Sequence, residues 1–170
     1  MKRIIAFSLC LFICLFLAAC NSGDEKQTHG VDIAYFAEMG TFPECDYRIK
    51  DSIPDVNAED SPFMAVTDKQ PPYVTDGSYS FYYDASAKNQ QITKIASFGA
   101  CLGFETGSII IEITDALDEQ DIKYTEREPK KNELFFLPSG GERTVIECKG
   151  LKNPLIFVFE DNALCAVLIG

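Results

Sequence analysis

The sequence predicts an α+β domain: an antiparallel sheet of five to seven strands with one principal helix, preceded by a proline-rich irregular segment. Three observations carry this. Residues 78–98 contain a run that alternates apolar and polar side chains, a polar break and a second β-rich run. Residues 122–169 hold short strand-like segments separated by turn residues. Between them lies a single stretch, "TGSIIIEITDALDEQ", with an apolar stripe at helical spacing.

In chain order, "VDIAYFAEM" (31–39) has room for two helical turns. Residues 40–77 hold five of the eight prolines. Proline fixes φ and removes an amide donor, so this region should be irregular, with at most short edge strands at "YRIKDSI" and "FMAV". In "SYSFYYD" the period of two puts Tyr79, Phe81 and Tyr83 on one side and Ser80, Tyr82 and Asp84 on the other. With "ASAKNQ" as the loop and "QITKIASF" as the partner, this reads as a β-hairpin.

The isoleucine run at 109–111 suits either a strand or a helix. Ile110, Ile113 and Leu117 share one helical face, and Glu112, Asp115, Asp118 and Glu119 fall largely off it, so a helix is the expectation. After it, "IKYTE", "ELFFL", "RTVIEC", "LIFVFE" and "LCAVLI" are separated by "REPKKN", "PSGGE", "KGLKNP" and "DNA", which predicts an antiparallel meander. The last two strands are apolar at nearly every position and should be buried on both faces. The helix is expected to cover one face and the proline-rich segment the other.

The chain begins with Lys2 and Arg3 and continues through an apolar run to Ala19 and Cys20. At roughly 16 residues the run is at or below the length that spans a bilayer as a helix, and its layout is that of an export signal. Leu17, Ala18, Ala19 and Cys20 resemble a lipobox, the signature of bacterial lipoproteins. The resemblance covers only the first twenty residues. It implies a signal peptide at 1–19 and a diacylglycerol on the Cys20 thiol, commonly with a further acyl chain on its amine. Two or more chains make membrane attachment effectively permanent. Asn21 stands where an aspartate would retain an enterobacterial lipoprotein at the inner membrane, which implies the outer membrane, facing the periplasm. Residues 20–30 then form a flexible tether with a reach of roughly 18 Å, and residues 31–170 a single domain.

Removal of Lys2 and Arg3 with the signal leaves 13 basic against 26 acidic residues, a net charge of −13. Such a chain repels nucleic acid and anionic lipid and favours a basic partner. Cys45, Cys101, Cys148 and Cys165 are an even set in an exported protein and are candidates for two disulfides. In a plain meander Cys148 and Cys165 would stand roughly 9 to 10 Å apart, beyond disulfide reach, so each is expected to pair with Cys45 or Cys101.

Nucleophile and phosphate-loop patterns are missing from the sequence, and its 26 acids leave room for a glycosidase pair although those of "EITDALDEQD" are spaced as a solvated helix face. The only histidine, His29, lies in the tether, and a Ser-His or Cys-His nucleophile needs one in the domain. The segment "DVNAED" opens like a calcium loop but has Asp60 and Val66 where glycine and glutamate belong. The expectation is a non-enzymatic module with no cofactor or metal. It would bind a basic protein through Tyr82, Asp84, Asp118 and Glu119, as an inhibitor or immunity protein against a cell-wall-active enzyme. The alternative is an accessory lipoprotein of an envelope-assembly complex.

Overall fold

The computed structural model describes residues 30–69, 71–130, 133 and 141–170. The lipobox, Cys20 and the tether up to residue 29 lie outside the described residues, as do residues 134–137 of the expected "ELFFL" strand.

Two helices and eight strands make up the described part: α1 (Ile33–Met39), β1 (Met64–Val66), β2 (Tyr73–Thr75), β3 (Tyr79–Tyr83), β4 (Ile92–Ser97), α2 (Ile110–Glu119), β5 (Tyr124–Arg127), β6 (Arg143–Cys148), β7 (Leu155–Glu160) and β8 (Ala163–Ile169). The eight strands form one sheet in the order β1-β2-β3-β4-β8-β7-β6-β5, and every neighbouring pair is antiparallel. The α+β class holds, with more strands than the five to seven expected. The added strands are three-residue pieces in the proline-rich region: β1, at the sheet edge, falls on the "FMAV" run named as a short edge strand, and β2 is too short to give a periodic signal.

The topology is two four-stranded meanders joined where β4 meets β8, in the register Ala96↔Leu168. The β7–β8 hairpin turns on Asp161 and Asn162, both at positive φ (50° and 68°), as a type I′ turn requires. The isoleucine run divides between both of its readings. Ile109 is extended and bridges to Ala163, and the helix starts at Ile110. Glu112 reaches back to accept from the Ile109 N–H at 3.2 Å, half of a capping box.

The sheet buries two unequal faces. Among the described residues, 21 buried side chains from α1, α2, one sheet face and the segments beside them form the larger cluster, Phe81, Ile95, Ile113, Leu117, Phe157 and Val167 among them. The smaller cluster, on the reverse face, contains seven: Tyr82, Ala96, Val145, Ile156, Val158, Ala166 and Leu168. The expected division of cover needs correction. Phe42, Tyr47, Ile49, Ile53 and Phe63 of the proline-rich segment pack on the same face as the helices. They fill the β1–β4 half of that face, which a single ten-residue helix, about 15 Å long, is too short to reach.

The helices are locked to each other end to end. Asp32 caps α1 by accepting from the Tyr35 N–H at 2.8 Å. The Gln120 amide, just past α2, accepts from Ile33 N–H and donates to the Val31 carbonyl, both at 2.9 Å. Gly40 ends α1 in the left-handed region (φ 71°), and Asn153 donates to the Ala37 carbonyl at 2.7 Å.

Candidate functional site

The outer face of α2 is the most charged helical surface. Ile113, Thr114, Ala116 and Leu117 are buried, so Ile111, Asp115 and Asp118 form the outward stripe, with Glu112 and Glu119 beside it. Ile111 is 57% exposed, an apolar side chain set among carboxylates. The helix has no basic residue in its last turn. Asp118 and Glu119 therefore sit where the carbonyl end of the helix already carries partial negative charge, a placement that costs about 0.3 to 1 kcal/mol each at low salt. The helix dipole does not favour these two acids. Tyr124 Oη, at 3.5 Å from Asp118 Oδ2, extends the patch onto β5.

The four expected binding residues do not form one surface. Asp118 and Glu119 are exposed neighbours on α2. Asp84 is exposed in the β3–β4 loop, where it accepts from the Ser86 N–H at 2.9 Å and its hydroxyl at 2.6 Å. Those two bonds hold its carboxyl below the usual carboxylate range and make it a turn residue. Tyr82 does point away from Tyr79 and Phe81, but it is only 3% exposed, because the reverse face is itself packed. Its ring lies 5.1 Å from that of Tyr73, and burial raises its phenol pKa strongly. A buried phenol offers no contact to a partner. Tyr83, expected beside Phe81, follows a register shift and joins neither cluster.

The disulfide expectation is also corrected. Among the described residues Cys45, Cys101, Cys148 and Cys165 are free thiols. Cys148 belongs to the larger cluster and Cys165 packs against the smaller, so the sheet stands between them. It likewise separates Cys165 from Cys45 and Cys101. Cys148 on β6 and Cys101 just beyond β4 are kept apart by β7 and β8, three strand spacings or roughly 14 Å. Burial pushes the Cys101 thiol up to about 11 and the Cys148 thiol up to about 12, which suppresses the reactive thiolate.

A charged cluster that sequence reading missed lies on the reverse face. Arg127 donates two parallel bonds to Glu133, at 2.6 and 2.8 Å, and a third to Glu147. Glu133 also accepts from the Lys130 N–H at 2.7 Å, and Glu147 from Lys149 Nζ at 2.7 Å. Burial is the largest single influence on Glu133 and opposes its ionisation, yet the bonds from Arg127 and Lys130 hold it below the usual range. The bonds from Lys149 and Arg127 take Glu147 down to about 2. Each carboxylate is already engaged by fixed donors, so the cluster works as a clasp that ties β5 and β6 to Lys130 and Glu133. The only sequence signal was a pair of charged residues, Arg127 and Glu147, inside strands that are otherwise partly apolar.

Two clefts lie near these features. One of about 720 Å³ borders Arg127, Glu128, Glu142 and Arg143 at the ends of β5 and β6. The other, of about 370 Å³, lies between Pro43–Glu44 and the turn at 101–104, beside Tyr79. Burial is the main cause that raises the Tyr79 phenol to about 12, with Cys45, Cys101 and Glu44 adding to it. Among the described residues no three His, Cys, Asp or Glu side chains converge to hold a metal ion, and no helix is long and apolar enough to cross a membrane. Asp55 and Asn57, read as an incomplete calcium loop, close an ordinary turn, Asn57 N–H to Asp55 Oδ1 at 2.9 Å.

The chain matches no protein-family model, no curated protein and no solved structure. Any functional reading of this protein rests on its own residues.

Proposed function

We propose that the protein is a lipid-anchored, periplasm-facing binding module whose acidic α2 face docks on a basic protein, in the manner of an inhibitor or immunity protein against a cell-wall-active enzyme. The observation that carries this reading is the placement of Asp118 and Glu119. They stand exposed at the helix end that disfavours them, on the same outward face as the exposed Ile111. Apolar contact ringed by charge is the make-up of a protein interface. The net charge of −13 would steer a basic partner over roughly 8 Å at physiological salt, and tethering by Cys20 would concentrate the module where envelope enzymes act.

The test separates stability from binding. Asp118→Lys with Glu119→Lys should raise helix stability slightly, since cations suit that end of the helix. The same variant should slow association with the partner recovered by mild crosslinking in the envelope, as high salt does for the wild type. An unchanged association rate across a salt series refutes the α2 interface. Recovery of an integral membrane complex in place of a soluble basic enzyme favours an accessory role in envelope assembly.

A further inference from the structure

The cleft between Pro43–Glu44 and the turn at 101–104 joins onto the acidic end of α2. Val31 lines the cleft, and its carbonyl is the acceptor for the Gln120 amide that closes α2, one residue beyond Glu119. Its accessible apolar lining comes from Ala100 and the half-buried Val31, Pro43 and Tyr79, and its two charged residues, Glu44 and Glu105, are both exposed. No lysine or arginine lines it among the described residues.

Hydrogen bonds brace both walls. Cys101 and Phe104 exchange backbone hydrogen bonds at 2.9 and 3.0 Å across a turn in which Leu102 takes φ 53° with its side chain fully buried. Glu44 on the facing wall takes φ 61°, and Tyr79 Oη donates to the Pro43 carbonyl beside it at 2.8 Å. Two bulky residues in the left-handed region on opposite walls of one cleft are held there by their surroundings, so the shape is set before any ligand arrives.

We infer that this cleft receives one lysine or arginine side chain of the basic partner, its aliphatic stem against Val31, Pro43 and Tyr79 and its charged head between Glu44 and Glu105. A cleft lined by half-buried apolar side chains and by two exposed carboxylates matches the division within such a side chain, whose methylenes bury readily while the head stays at the water boundary. The inference rests on the reading of the protein as a binder of a basic protein, and adds where that partner is anchored.

The experiment titrates the full chain, isotopically labelled and held in neutral detergent, with the peptide acetyl-Ala-Lys-Ala-amide and follows backbone amide shifts. Movement of the amides of Glu44 and residues 101–105 is expected. Glu44→Gln with Glu105→Gln should weaken binding roughly fivefold, the upper range for an exposed charge pair, and leave the remaining spectrum unchanged. The same peptide with its lysine acetylated should move nothing. Equal shifts with the acetylated peptide overturn the inference, since the cleft would then select apolar groups and not charge. Shifts confined to α2 also overturn it and leave the α2 interface standing. No shift at either place overturns the cleft alone, because the association kinetics of the Asp118/Glu119 variant test the wider reading independently.

Discussion

The two faces of the sheet are built on different chemistry. Among the described residues the helix-covered face gathers 21 buried ones, Phe42, Phe81, Phe104, Phe157 and Phe159 among them, and Phe104 meets Phe157 edge to face at 5.7 Å. Among the same described residues the reverse face gathers seven, several of them small, and is flanked by Arg127, Glu133, Glu147, Arg143 and Glu160 in ion pairs. One face is therefore held by area removed from water, the other in large part by charges that must stay paired. Sensitivity to pH should reside in the second face and sensitivity to lost volume in the first.

The largest effect should come from the first face. Phe157→Ala removes a fully buried ring and its partner contact with Phe104, and should cost about 3 to 5 kcal/mol in urea unfolding. Next, Arg127→Met strands Glu133, whose side chain is 4% exposed, and should cost about 3 kcal/mol. Combining it with Glu133→Gln should recover part of the loss, because the uncompensated charge disappears. If the double variant is no better than the single one, charge pairing does not hold this face together.

Leu168→Ala, fully buried on the reverse face, should cost about 2 kcal/mol, the low end for a leucine, because its cluster is small. A loss equal to that of Phe157→Ala would erase the contrast between the faces. The smallest effect is in acid. Glu147 has its folded pKa lowered from 4.5 to about 2, so its contribution is full above the unfolded value and is lost as pH falls through the folded one. Stability should thus decline between about pH 4.5 and 2, and Glu147→Gln should flatten that decline while lowering stability at neutral pH. A decline of unchanged slope would place the acid-sensitive groups elsewhere.

The same contrast explains what could be read without coordinates. Local patterns determined the elements: the seven-residue α1, the β3–β4 hairpin, α2, and the strands β6, β7 and β8 all fall on the runs that predicted them, β6 and β7 with the same bounds. Periodicity, capping residues and turn pairs such as Asp161–Asn162 act within a few residues, so the chain carries them in its own order. The acidity of the α2 face was equally legible, since a helix converts spacing directly into a surface.

Only the tertiary structure decided which strands became neighbours and what each face met. The junction of β4 with β8 brings residues 95–97 against 167–169, and no local signal encodes a pairing that distant. Tyr82 alternates outward as its period demands, yet alternation says which way a side chain points and not whether something waits there, so its burial was invisible. The cysteines show the same limit. Their even number is a property of the sequence, whereas their separation by the sheet is a property of the fold. The 43–44 and 101–104 walls of the small cleft lie more than fifty residues apart, and became one site only because Tyr79, which bonds the Pro43 carbonyl, pairs with Ser97 at the end of β4 that leads into residues 101–104.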